Sequence, residues 1–310
     1  MQRAPSPGSD PPETDRLGLA LGSGAARGLA HIGVIRALQE RSIRIDCVAG
    51  TSIGALIGAA YCAGNLEPLA RDFNSFDWTR VASLLDPVFP RSGLIDGQKV
   101  TAFLRAYVPF RNIEDLPLPF CAVATDMLTG EEVVIGRGDL IEAVRASIAV
   151  PGMLTPVRSN GRLLVDGGLV NPVPVRTTRA MGADRVVAVD LNHDFVEKRL
   201  ARLQPSAGPR ADERGASRLL DALQAISSPA AAQLSAWLHR EPAPGIIDVL
   251  MGSLTIMQAR VTEANLERDR PDLLIRPPLG DVRFMDFDRA AATISSGYET
   301  AMGLLRSWAR

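Results

Sequence analysis

The stretch Ile45-Asp46-Cys47-Val48-Ala49-Gly50-Thr51-Ser52-Ile53-Gly54-Ala55-Leu56-Ile57-Gly58-Ala59-Ala60-Tyr61 decides how the chain folds. Ile45 to Ala49 has the length and composition of a buried parallel strand, and Ala55 to Tyr61 that of a small-residue helix packed against it. Between them stands G-x-S-x-G, so strand, sharp turn and helix follow one another as in a nucleophile elbow with Ser52 at the turn. Gly50 and Gly54 let the backbone approach neighbouring elements while the Ser52 hydroxyl is pushed outward. The new helix aims its free N–H groups and positive dipole end at that hydroxyl. With 27 glycines in 310 residues the five-residue pattern arises readily by chance, so the flanking elements carry the reading. Its plain alternative is an ordinary strand-to-helix connection.

Upstream, Leu17-Gly18-Leu19-Ala20-Leu21 is a second short apolar strand, and it runs into Gly22-Ser23-Gly24-Ala25-Ala26-Arg27-Gly28. Leu29, Ile32, Gly33, Ile35, Ala37 and Leu38 then fall near helical spacing. A Gly-rich loop opening a helix can hold a dinucleotide or phosphate. Here the spacing is G-x-G-x-x-x-G, and Ala49-Gly50 stands where an acidic ribose partner is expected, which argues against that use. Loops at the ends of adjacent parallel strands meet at one sheet edge, so the N–H groups of Gly24, Ala25 and Ala26 are expected to face Ser52 as oxyanion donors. Arg27 reads equally as an anion ligand and as a loop-to-scaffold clamp. His31, one turn on, reads as a structural histidine.

A third feature is Leu163-Leu164-Val165-Asp166-Gly167-Gly168, a short apolar strand that delivers a carboxylate into a double-glycine turn. Taken alone, Asp166 could simply support an Asx-type turn. Its weight comes from order: a Gly-rich loop, then an elbow, then an aspartate held between a strand and paired glycines.

With these three segments, and with Ala146-Ser147-Ile148-Ala149-Val150-Pro151-Gly152 and Asn171-Pro172-Val173-Pro174-Val175, the chain resembles the bacterial patatin-like phospholipase family over about its first 190 residues. The resemblance implies a Ser-Asp dyad, with Ser52 as nucleophile and Asp166 as general base, an oxyanion hole in the segment Gly22 to Gly28 (Gly22, Ser23, Gly24, Ala25, Ala26, Arg27, Gly28), and a lipid or other acyl-ester substrate. It implies no metal and no cofactor. Ser23 and Ala25 stand where the family often has glycine. Both keep their N–H groups, so the oxyanion hole stands provided Ala25 keeps a negative φ. Partial burial beside Ser52 would raise the Asp166 pKa toward the working pH. A different-class reading is a regulatory or scaffold protein of low turnover that retains the fold.

The rival within serine hydrolysis is a Ser-His-Asp triad, for which only His31, His193 and His239 exist. His193 follows the apolar strand Arg185 to Leu191, and the order Ser52, Asp166, His193 fits. Asp190-Leu191-Asn192-His193-Asp194 also imitates the start of a calcium loop. Phe195 takes the required glycine position and Ala201 the bidentate glutamate position, which rejects that reading.

Composition sets outer bounds. Hydrophobic content of 46% with 22% charged residues is globular, and no apolar run approaches the ~20 residues of a spanning helix. A net charge of −1 gives no electrostatic case for nucleic acid or an anionic bilayer. Cys47, Cys62 and Cys121 read as reduced core thiols of a cytoplasmic protein, with peripheral membrane contact and oligomerisation both open. Residues 1–16 read as a disordered tail and not a signal peptide, and 17–310 as one catalytic domain.

Alternating elements continue with strands at Pro119–Asp126 and Glu131–Ile135 and helices at Asp139–Ser147 and Val175–Gly182. They end in a helix from Ile246 to Arg268, a strand at Asp272 to Arg276 and a helix from Asp286 to Trp308. The expected fold is α/β, a three-layer α/β/α arrangement around a mixed, mostly parallel sheet. Helical stretches between Leu66 and Val108 cover one side of the site. There Phe73, Phe76, Trp78, Phe89 and Phe103 read as core or as the lining of an acyl channel, with core favoured. Residues 198–245 are a variable, partly helical insertion that reads as a peripheral helix, a lid, a membrane contact or a dimer element.

Overall fold

In a computed structural model of the chain, the structure describes residues 15–84, 86, 93–195 and 246–308. Both the insertion at 198–245 and the tail at 1–14 lie outside the described residues. The two apolar runs flanking the Gly-rich loops are central strands, β1 (Leu17–Leu21) and β2 (Cys47–Thr51), every residue of each buried. They pair in parallel, with helix α1 (Ala30–Glu40) returning the chain between them. Strand β9 (Arg185–Val189) flanks β1 in parallel and β10 (Leu273–Ile275) flanks β9, while β4 (Phe120–Asp126) pairs in parallel with β2.

Side-chain alternation along these strands separates two cores. Leu19, Leu21, Val48, Val187 and Val189 face one cluster with α1 and with helix α2 (Ile53–Cys62). Ala20, Cys47, Val186 and Ala188 face another with α7 (Val175–Ala180) and Leu266 of α8 (Ile246–Asp269). Both sheet faces are therefore covered, which gives the expected three layers. The C-terminal helix α9 (Ala290–Leu305) lies against α1 so closely that a side chain on Gly33 or Gly297 would strike the other helix's backbone.

Beyond β4 the sheet turns antiparallel. Strand β5 (Glu132–Ile135) pairs with Ala122 to Thr125 of β4, and β8 (Arg162–Asp166) pairs with Ala124 to Asp126 and carries β7 (Val157–Ser159) on its far side. A strand has two edges. Because the β5 pairing overlaps those of both β2 and β8, β2 and β8 must share the opposite edge of β4. β2 runs up that edge to Thr51, opposite Val123, and β8 runs down it to Asp166, opposite Ala124. Two strands thus meet end to end, and the residues at their ends are Ser52 and Asp166.

Helices α3 (Leu66–Asn74), α4 (Trp78–Ser83) and α5 (Gln98–Tyr107) occupy the stretch expected to be helical. It also contributes β3 (Gly93–Ile95), which pairs in parallel with β6 (Gly152–Leu154) as a small second sheet. Three-residue strands are too short to show a period, so neither they nor β7 were legible in the sequence. Arg145 of α6 (Leu140–Ser147) ties this sheet down, donating through Nη2 to Asp96 O at 2.6 Å and Thr155 O at 2.9 Å.

Candidate active site

Ser52 stands between β2 and α2 with φ 57° and ψ −126°, a left-handed conformation that costs a non-glycine residue about 1–3 kcal/mol. The turn is over-determined by its neighbours. A Cβ on Gly50 would lie 2.5 Å from Ala55 Cα, and one on Gly54 would strike Leu21 O, so both glycines are there for close approach. Ser52 N–H donates to Ser147 Oγ at 2.9 Å, and Ser147 Oγ donates to Val123 O at 2.6 Å. Thr51 Oγ1 donates to Asn171 O at 2.9 Å.

Asp166 is fully buried. Its Oδ2 accepts from Ser52 Oγ at 2.5 Å and its Oδ1 from Gly168 N–H at 2.7 Å. The main chain is fixed as well, by Asp166 N–H to Ala149 O and by Thr125 Oγ1 to Asp166 O, both 2.9 Å. Desolvation pushes the carboxyl up to about 6, against the opposing effect of its bonds from Ser52 and Gly168. Gly167 and Gly168 do not adopt positive φ. They are required for space: a Cβ on Gly167 would strike Val123 O, and one on Gly168 would lie 2.5 Å from Gln258 Nε2.

The loop after β1 departs from expectation in three ways. Ala25 has φ 50° instead of a negative φ, the conformation for which glycine would be the easy choice. Ala26 N–H does not face Ser52, because it donates to Phe284 O at 3.1 Å. Gly22, Ser23 and Arg27 also spend their N–H groups elsewhere, on Val189 O, Pro172 O and Gly24 O. Of the N–H groups of residues 22–27, those of Gly24 and Ala25 have no acceptor among the described residues. The same holds for Ile53 N–H at the start of α2, a donor that sequence reasoning did not single out. Gly28 is glycine because a Cβ there would collide with the Ile53 side chain.

Arg27 is a clamp. It is buried, donates to Val282 O at 3.2 Å, and sits 5.1 Å from the centre of the Phe195 ring. Burial lowers its pKa to about 10, with Asp194 and Asp190 opposing the shift, so it stays charged. His31 is structural: Nε2 lies 2.8 Å from Gly22 O, and burial lowers its pKa to about 4. Among the described residues no histidine stands between Ser52 and Asp166, whose two oxygens are both engaged. Asp190 accepts from Arg276 Nε and Asn192 N–H, and Asp194 from Gly280 N–H. Among the described residues no cluster of His, Cys, Asp or Glu is arranged to hold a metal.

Beside Ser52 opens an apolar cavity of about 150 Å³, to which Ala25 and Ile53 also contribute. Phe73 and Phe76 form part of its wall while belonging to the main core, and half-buried Phe103 joins the wall while packing against that core, so the two alternatives for these rings coincide. Phe89 and the Trp78 side chain lie outside the described residues. No described helix is long and apolar enough to cross a membrane.

A family model described as patatin-like phospholipase matches residues 19–179. The chain belongs to the patatin-like phospholipase family. An uncharacterized NTE family protein of Mycobacterium bovis is 34% identical, covering 94% of this chain and 92% of its own length. Patatin-like phospholipase domain-containing protein 6 of Homo sapiens is 29% identical over 95% of this chain, which spans a fifth of that protein's length. VipD from Legionella pneumophila aligns with a TM-score of 0.47 at 16% identity, covering 96% of this chain and 67% of that one. Family membership places the protein among lipid hydrolases. The patatin-like match contains the elbow, the Gly-rich loop and the Asp166 turn; α8, α9 and the last two strands of the sheet lie beyond it.

Proposed function

We propose that the protein is a serine acyl hydrolase that cleaves carboxylic esters of lipids through a Ser52–Asp166 dyad. The observation that carries this reading is the direct Ser52 Oγ to Asp166 Oδ2 hydrogen bond beside an apolar cavity that Ser52 helps to line. Ser52 Oγ attacks the ester carbonyl while its proton passes to Asp166 Oδ2. The oxyanion that forms is met by the N–H groups of Gly24, Ala25 and Ile53 and by the dipole of α2. When the intermediate collapses, Asp166 returns the proton to the departing alcohol, leaving an acyl-enzyme with its chain in the cavity. Water then attacks, Asp166 accepts its proton, and the fatty acid leaves as Ser52 is restored. Aspartate is a weak base toward a hydroxyl, and its raised pKa and fixed geometry narrow that gap. Three free, buried cysteines fit a reducing compartment such as the cytoplasm, from which a membrane lipid would be reached peripherally.

The test is hydrolysis of p-nitrophenyl acyl esters of graded length by wild type, Ser52→Ala and His193→Ala. Turnover that needs Ser52 but not His193 is expected. A wild type without turnover on any chain length would give the lead to the scaffold reading.

A further inference from the structure

Helix α8 lies outside the family match, yet it touches both halves of the site. Asn265 Nδ2 donates to Val170 O at 3.3 Å, holding the turn that follows Asp166. Thr255 and Thr262, on the same buried face, spend their hydroxyls on carbonyls four residues back in the helix. Gln258 instead reaches across 235 positions of sequence: its Oε1 accepts from Ser23 Oγ at 3.1 Å and, more distantly, from Asn192 Nδ2 at 3.4 Å. Asn192 Nδ2 also lies 3.4 Å from Ser23 O. All three side chains are buried. On its other side the Gln258 amide rests over Gly168. The same missing Cβ of Gly168 would lie 2.5 Å from Gln258 Nε2 and 2.9 Å from Asp166 Oδ1.

We infer that Gln258 is a positioning residue that sets the loop after β1 through the Ser23 hydroxyl, and so places the Gly24 and Ala25 donors against Ser52. The inference rests on the proposed function for its kinetic part alone. Ser23 immediately precedes Gly24, and its N–H is already anchored to Pro172 O, so the hydroxyl bond fixes the remaining rotation of the residue that leads into the donors. Ala25 sits at φ 50°, a conformation an alanine leaves unless held. Replacing the Gln258 amide with an apolar group would also leave the buried Ser23 hydroxyl without its acceptor.

The test pairs kinetics with a reading that does not depend on turnover. Gln258→Leu is expected to lower kcat on p-nitrophenyl esters about tenfold or more with KM changed less than twofold, since the donors act on the transition state. It is expected to speed amide hydrogen exchange of residues 22–28 while leaving the α1–α9 pair unchanged. Gln258→Glu retains an acceptor for Ser23 and is expected to restore slow exchange. In a Ser23→Gly background the kcat effect of Gln258→Leu should shrink below threefold. Unchanged exchange and unchanged kcat in Gln258→Leu, or an equal loss in both backgrounds, would overturn the inference. If Gln258→Leu does not fold, exchange in Ser23→Gly alone decides it: slow exchange there contradicts the role of the hydroxyl. Faster exchange in a protein whose wild type never turns over would sink the hydrolase reading and leave the positioning role standing.

Discussion

The two walls of the site are built on different physics. On one side of Ser52 stand Asp166, Ser147, Ser23 and Gln258, buried polar groups each tied by a named hydrogen bond. On the other side Phe73 meets Phe76, Phe103 and Phe287 at ring separations of 5.0, 5.6 and 6.1 Å, with contact area and ring orientation as the only constraints. A directional bond lost inside a protein leaves its partner unmet, which costs more than the bond itself contributed. A ring lost from a packed cluster leaves a space that neighbours partly refill. The polar wall should therefore fix the chemistry and tolerate little, and the apolar wall should set which acyl chain fits and tolerate more.

Asp166→Asn gives that contrast its largest test. Turnover should fall by about 10³-fold or more, measured as kcat on p-nitrophenyl esters, because the proposed proton acceptor is gone while the geometry is kept. The same variant should be more stable than wild type at pH 8. A buried carboxyl raised from 3.8 to about 6 binds more protons folded than unfolded between those values, so its ionisation destabilises the fold as pH rises through that window and the penalty is complete above pH 6. About two pKa units correspond to ~3 kcal/mol, which Asp166→Asn removes and which should vanish in melts near pH 4. His31 titrates in the opposite sense but contributes equally to both proteins and cancels.

Next in size is the pH dependence of the intact protein. In the proposed mechanism Asp166 has to be ionised to accept a proton, so kcat/KM should fall tenfold per pH unit below about 6 and stay level above it. A limb near 4 would mean that the burial of Asp166 does not govern its ionisation. Ser147→Ala should lower kcat about tenfold and stability by about 2–4 kcal/mol in denaturant melts, since both Ser52 N–H and Val123 O lose their partner in the interior. Phe103→Ala, on the apolar wall, should cost about 3 kcal/mol of stability but less than threefold in kcat, and should move the preferred p-nitrophenyl ester to a longer chain. A kcat loss in Phe103→Ala as deep as in Ser147→Ala would erase the distinction between the walls.

The elbow and the Asp166 turn were legible because each is local: an apolar strand, a small-residue turn and a helix within a dozen positions. Their meeting was not a local property. It follows from β2 and β8 sharing one edge of β4, and β8 pairs antiparallel where simple alternation suggests continued parallel order. The Gly-rich loop was read too generously, because three of the four carbonyls that consume its N–H groups, those of Val189, Pro172 and Phe284, come from far along the chain. The double glycine was visible while its reason was hidden, since space and not φ demands it and the crowding atoms belong to Val123 and Gln258. Gln258 carried no signal at all: a glutamine on a long helix reads as solvated until the fold sets Ser23 opposite it.

Whether Ser52 is activated by Asp166 alone is tested most directly by the rate at which a fluorophosphonate labels Ser52, followed by peptide mapping across pH 4–9 in wild type, His193→Ala and Asp166→Asn. Labelling confined to Ser52 is expected, with the same limb near pH 6 in wild type and His193→Ala and almost no labelling of Asp166→Asn. Wild-type labelling of Asp166→Asn, or its loss in His193→Ala, would contradict activation by Asp166 alone.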